Sequence, residues 1–399
     1  MLSHALVVAA LLAIPFRAAP MVGHSQHGLK PPENPAIPRM PEPSAVNGPF
    51  ETLLELRLTP GNVAVTPSGR LFISLHPFGD PEIRVAEVLR NGGLRAYPTD
   101  DWSHAVDANG IGIQSIIGLK SDPNGVLWLL DAGNLAAPNG TPPKLIAWDT
   151  KGERLQRVLH LPPPVSGPKS FFQDLAIDTK RDAIYIADCG IGAGFDDAAP
   201  ALIVVYLKTG MARRVLENAA CVRAEPDAAM VIDGKEVGVT GEGASRSAAR
   251  VGVNPITIDD AGEWVYFGSM HGKSIWKVKA DDLSNPGLPS AELEQRVERH
   301  GDKPVSDGMT MDSAGNIYVT DLAAHAIGVT DSTGAYRVLH RDDALLQWPD
   351  GMCAGQDGKI YVTVNQLNRH AALNGGERAT EPPFRILRFA PIAPASLGR

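Results

Sequence analysis

Six stretches of this chain echo one another, and each joins a short apolar run to a second one through a polar turn. They begin at Gly61 (GNVAVTPSGRLFISL), Ser115 (SIIGLKSDPNGVLWLLD), Gln173 (QDLAIDTKRDAIYIAD), Asn254 (NPITIDDAGEWVYFGS), Asp307 (DGMTMDSAGNIYVTD) and Asp350 (DGMCAGQDGKIYVTV). Pro-Ser-Gly, Pro-Asn-Gly, Asp-Ala-Gly, Ser-Ala-Gly and Gln-Asp-Gly at the joints are hairpin chemistry, because glycine accepts the positive φ of a tight turn. The second run carries an aromatic in every copy, at Phe72, Trp128, Tyr185, Tyr266, Tyr318 and Tyr361. Most copies are followed by alternating stretches such as KLIAWDTKGERLQRVL and ALIVVYLKTGMARRVL, whose period of two marks strands with one exposed face. The starts lie 43 to 81 residues apart, the size of a propeller blade of about four strands. Six units predict an all-β, six-bladed β-propeller. The strand ETLLELRL at 51–58 is expected to complete the last blade and close the ring without an exposed seam.

Composition agrees with a turn-rich β protein: 40 glycines and 33 prolines among 399 residues, 44% hydrophobic and 21% charged. The formal charge is −8 and no Lys/Arg run stands out, which excludes nucleic acid as an expected partner. The organisation reads as a signal peptide at 1–20, a Pro-rich linker or strap at 21–47, the propeller at 48–392 and a tail at 393–399. The apolar run Ala5 to Phe16 before Ala18-Ala19 predicts export, to a secreted or periplasmic location, with no membrane contact beyond that signal. A monomer is expected. Cys189 and Cys221 could pair in an exported protein, whereas Cys353 reads as a buried thiol. The stretch EPDAAMVIDGKEVGVTGEGASRSAAR between the third and fourth units reads as an insertion at one mouth, where loops carry specificity.

In a propeller the innermost strands line an axial channel, so the leading polar residues of the six copies should converge. These are Asn62, Gln114 with Ser115, Gln173 with Asp174, Asn254, Asp307 and Asp350. Two chemistries suit such a ring: a divalent cation, Ca²⁺ first, or a small polar ligand that needs several hydrogen bonds. A third reading is purely local, since Asp or Asn before Gly also forms Asx-turns. His76 and His271 follow second strands and are candidates for general acid or base at the mouth; His325 and His370 are weaker ones. No HExxH, GxSxG, CxxC pair or Walker-like loop occurs.

From about residue 50 to 390 the chain resembles the major royal jelly protein and insect Yellow family. The resemblance rests on RLFISLHPFGDPEIRVAEV, AYPTDDW, GVLWLLDAGN, FFQDLAIDTKRDAIYIAD, ALIVVYLKTGMARRVL and WPDGMCAGQDGKIYVTVNQL, in that order. It implies a secreted six-bladed propeller, with small-ligand binding (sterols, biogenic amines) or dopachrome conversion among the family's roles. More distantly, SDGMTMDSAGNIYVTD is similar to the metal-binding segment of the gluconolactonase/SMP-30 family. That likeness implies Asp307 as a metal ligand, with the family's Asn at Asn254 or Gln173. The family's Glu should fall at the first unit, where Pro60-Gly61-Asn62 stands instead, which implies a weaker ion site. Three functions follow as expectations: an exported propeller that binds, and can isomerise, a small polar or aromatic ligand in its channel; a metal-dependent lactonase using Asp307 and Asn254; and a non-catalytic interaction platform.

Overall fold

The computed structural model describes residues 45–134, 140–191, 198–240 and 246–399. The signal peptide, nearly all of the Pro-rich linker and the GEGAS part of the insertion lie outside the described residues. Six antiparallel sheets stand around one axis, and their innermost strands are Pro60–Val65, Ile116–Ser121, Phe172–Asp178, Val253–Ile258, Met309–Met311 and Pro349–Ala354. Five sheets are four-stranded hairpin meanders. In the sixth, Phe50–Leu56 pairs with Phe384–Phe389 in the register Phe50↔Phe389 to Leu56↔Phe384 as the fourth strand, and Ala45–Asn47 adds a fifth at its outer edge. The ring is therefore closed by one strand from each end of the described chain, and it is six-bladed, as the repeats imply. Among the described residues no helix is long and apolar enough to cross a membrane.

The core lies between adjacent sheets. Tyr185 and Val204 of the third blade, for example, pack with Ile256 and Phe267 of the fourth. In four of the six blades the aromatic of the second strand has a polar task as well. The Asp that opens the hairpin turn accepts turn N–H groups with one oxygen and the aromatic's donor with the other. Asp312 accepts from Ala314 N (3.0 Å) and Asn316 N (3.0 Å) through Oδ1, and from the Tyr318 hydroxyl through Oδ2 at 2.7 Å. Asp178 with Tyr185 (2.8 Å), Asp357 with Tyr361 (2.9 Å) and Asp122 with Trp128 (3.4 Å) repeat the arrangement. Turn and strand are thus fixed to each other inside every such hairpin, and a buried Tyr hydroxyl is satisfied.

The repeated Asp-Gly has a separate cause. A Cβ on Gly308 would sit on the carbonyl oxygen of Asp350, and one on Gly351 would sit on Asn62. Each glycine lies in one inner strand and faces the start of the next, so its missing side chain sets how tightly neighbouring blades close around the axis.

The last residues run across the far end of the axis. Ser313 N donates to Pro394 O (2.9 Å), Ala354 N to Arg399 O (3.1 Å) and Arg399 Nη1 to Ile177 O (3.4 Å), while Arg399 Nε reaches Asp260 Oδ1 at 3.3 Å. These contacts join the ends of the third to sixth blades, and Leu397 packs against the first. Cys189 and Cys221 are separate, buried, free thiols. The pairing considered from the sequence is not formed, since they belong to different apolar clusters. Cys353 is buried and free, as its strand position suggests.

Candidate functional site

At the end where the inner strands begin, the axis opens into a pocket of about 540 Å³. Its walls are apolar and aromatic, from Phe78, Phe171, Met230, Met270, Trp348 and Leu367, with polar groups at Gln173, Asp307, His76 and His271. Met230, Val237, Ala249 and Val251 come from the insertion between the third and fourth blades, which therefore roofs the mouth.

Asp307 stands two residues before the inner strand of the fifth blade. Its N–H donates to Thr320 Oγ1 (2.9 Å) in the adjoining strand, which aims the side chain at the axis. Asn254 Nδ2 donates to Oδ1 at 2.6 Å, and the Trp348 indole N–H donates to Oδ2 at 2.8 Å. Trp348 is buried and held at φ 59°, a backbone region that a bulky side chain occupies only at a cost of about 1–3 kcal/mol. Its bond to Asp307 and its place in the pocket wall are what that strain secures. Burial, reinforced by the Asp174 charge and opposed by the two hydrogen bonds, pushes the Asp307 carboxyl up to about 6.

The other leading residues take distinct places. Asp174 and Asp350 are also buried carboxyls held above the ordinary range, chiefly by burial, with Lys120 opposing the shift at Asp174 and Asp307 adding to it at Asp350. Asn62 Nδ2 donates to Asp174 Oδ1 at 3.3 Å, while its own Oδ1 accepts from Val63 N at 2.8 Å. Asn365 Nδ2 bridges Asp350 and the Pro60 carbonyl. Gln173 lines the pocket, and its buried Oε1 has no partner among the described residues. The structure thus gathers Asn62, Gln173, Asp174, Asn254, Asp307 and Asp350 around the axis. Gln114 does not join them: its N–H is tied to Asp131 (2.9 Å), and Ile117 is the second blade's wall residue.

His76 and His271 do line the pocket, but burial lowers both to about 3. Neither exchanges protons near neutral pH, which replaces the acid–base role expected of them. Each accepts a backbone N–H at Nδ1, from Phe78 (3.2 Å) and Val251 (3.1 Å), so each carries its proton on Nε2. The His271 Nε2–H is buried and unpartnered among the described residues. His325 instead bonds Asp233 (2.8 Å), and His370 stacks on Phe78 (5.1 Å between centroids). Trp348 and the buried Lys303, outside the repeat pattern, and the buried Lys120, within the second copy, complete the setting. Burial lowers the Lys303 ammonium to about 7.

The donor set does not fit a divalent cation. An indole N–H can only donate, so Asp307 Oδ2 is committed to Trp348, and the Asn62 oxygen is committed to its own strand. Asp307 Oδ1, the unpartnered Gln173 Oε1 and a rotated Asn254 amide would supply three oxygens at the pocket, where Ca²⁺ takes 6–8. No three His, Cys, Asp or Glu among the described residues are grouped to hold a metal ion.

Fold and pocket together define a class, the six-bladed β-propellers with a site on the axis at one mouth. Within it, the chain belongs to the major royal jelly protein family, whose model matches residues 114–389, more than half of its length. Among solved structures it is similar to a gluconolactonase from Xanthomonas campestris (12% identity, TM-score 0.51, covering 90% of this chain and 99% of that one). A luciferin-regenerating enzyme (11%, TM-score 0.53, 88% and 97%) and the calcium-binding protein regucalcin of Agrobacterium tumefaciens (13%, TM-score 0.50, 86% and 94%) are similar too. At such identities these likenesses show the fold alone. Comparison with curated proteins gives no match.

Proposed function

We propose that the chain binds a small organic ligand whose apolar or aromatic body fills the axial pocket and whose cationic or hydrogen-bond-donating group meets Asp307. The observation that carries this reading is a buried carboxyl in the wall of a pocket that is otherwise mainly apolar and aromatic. Walls of this kind supply affinity, and one placed polar group supplies orientation. A carboxyl that titrates near 6 can also take or return a proton at working pH. The neutral His271 Nε2–H can donate to an oxygen on which charge develops. The pair therefore suits a proton shift within the bound ligand, an isomerisation. Metal-assisted lactone opening lacks the oxygen donors it needs. Export is part of the proposal, resting on the apolar run at 5–16.

Calorimetric titration with aromatic amines, phenols and their uncharged isosteres tests the reading. Amines should bind best, and Asp307→Asn should weaken them by about 10- to 100-fold, the range of a hydrogen bond to a charged group. Equal affinity of the variant for amines, or no binder in the panel, would overturn it.

A further inference from the structure

Beside the axial pocket lies a second chamber of about 480 Å³, between the insertion hairpin and the segment that follows the sixth blade's second strand. Val237 and Leu373 line both spaces, so the two adjoin at these side chains. The second chamber is polar, lined by Asp233, Lys235, Glu236, Asn368, Arg369 and Asn374. Its rim is fixed: Gly238 bridges Asn374, and the hairpin turns at Asp233 and Gly234, both at positive φ.

The charges there do not cancel. Asp233 is paired with His325 Nε2 at 2.8 Å, and the other ring nitrogen of His325 faces the Leu346 carbonyl at 3.3 Å. Glu236 is paired with Arg250 at 3.7 Å. Glu236 therefore has a basic partner behind it, and Asp233 a hydrogen-bonded imidazole. Lys235 donates only to the neutral Asn374 Oδ1 (2.6 Å), and the Arg369 guanidinium makes no ion pair with a described residue. The buried end of the Asn368 carboxamide is likewise unpartnered among the described residues; turned over, it offers N–H to the same space. Two cations without acids, at a chamber wall shared with an apolar pocket, form a seat for an anion.

We propose that this chamber receives the anionic head, a carboxylate, sulfonate or phosphate group, of a ligand whose apolar body occupies the axial pocket. The ligand class is then an amphiphilic organic acid, entering past Val237 and Leu373. This inference rests on the axial-pocket reading and narrows it.

The experiment compares two dyes with the same aromatic body, titrated by fluorescence into the full chain: 1-anilinonaphthalene-8-sulfonate and the uncharged N-phenyl-1-naphthylamine. The sulfonate should bind about tenfold or more tightly than the uncharged dye. Arg369→Gln and Lys235→Gln should each remove most of that advantage while leaving the uncharged dye unaffected. Added salt should mimic the variants, and Trp348→Ala should weaken both dyes alike. Equal affinities for the two dyes, or sulfonate binding unchanged in both charge variants, overturns the anion seat alone. Binding of neither dye overturns the axial reading and the seat with it. Circular dichroism confirms that each variant is folded.

Discussion

Replacing Asp307 by Asn should make the protein more stable at pH 8 and leave it nearly unchanged at pH 4. The ordinary value for this side chain is 3.8, and in the folded state it is pushed up to about 6. Below the lower value both states hold the proton, and the carboxyl carries no penalty. As pH rises through the interval the unfolded chain ionises first, so the folded state loses stability until both forms are charged. About two units at about 1.36 kcal/mol each give about 3 kcal/mol. The substitution removes this penalty without stranding a donor. Trp348 Nε1 can donate to the new carboxamide oxygen, and the new amide can donate to Asn254 once that side chain turns over. Loss of the charge also relieves Asp350, whose own shift Asp307 enlarges. The measurement is melting temperature against pH for parent and variant. The gap should widen by about 5 °C between pH 4 and pH 8, even as amine binding falls. A gap that stays flat, or narrows as pH rises, would refute the claim that the buried charge is a cost the fold carries for the sake of the site.

Two further outcomes follow from the axis. Gly308→Ala should cost about 1–3 kcal/mol or more, read in urea unfolding, because the new methyl meets the Asp350 carbonyl rather than a yielding side chain; Ala314→Gly, in an exposed turn, serves as the control. Millimolar Ca²⁺, compared with chelator, should move the melting temperature by less than about 1 °C, since the indole of Trp348 occupies the oxygen a cation would take; a rise of several degrees would show that the Asp307 cluster rearranges around an ion.

Much of this architecture could be read before the structure because its causes are local. Six hairpins are visible as polar turns, five of them with glycine, joined to apolar runs, and the aromatic in each second strand recurs because, in four of the six, it is bonded to the acid of its own turn. The leading polar residues were legible for the same reason, since each opens a repeat. What escaped the sequence is what does not recur. Trp348 stands before one copy only, and the equivalent position of the fifth blade is Val305, so no period announced it. The apolar character of the pocket comes from Met230, Val237 and Val251 in the insertion, which must fold back over the axis before they line anything. The neutral state of His76 and His271 follows from burial, which no spacing of residues encodes. Gln114 stands apart because its backbone is tied to Asp131, a contact that no spacing in the repeat encodes.

The tail that lies across the far end makes the molecule a cup rather than a pipe. A ligand of the proposed kind would leave over the rim by which it entered, beside the insertion residues Met230 and Val237. Loosening the tail would be felt first as a leak: water rising from below would reach Asp350 and Asp174, and the acids would regain ordinary strength without any change at the rim.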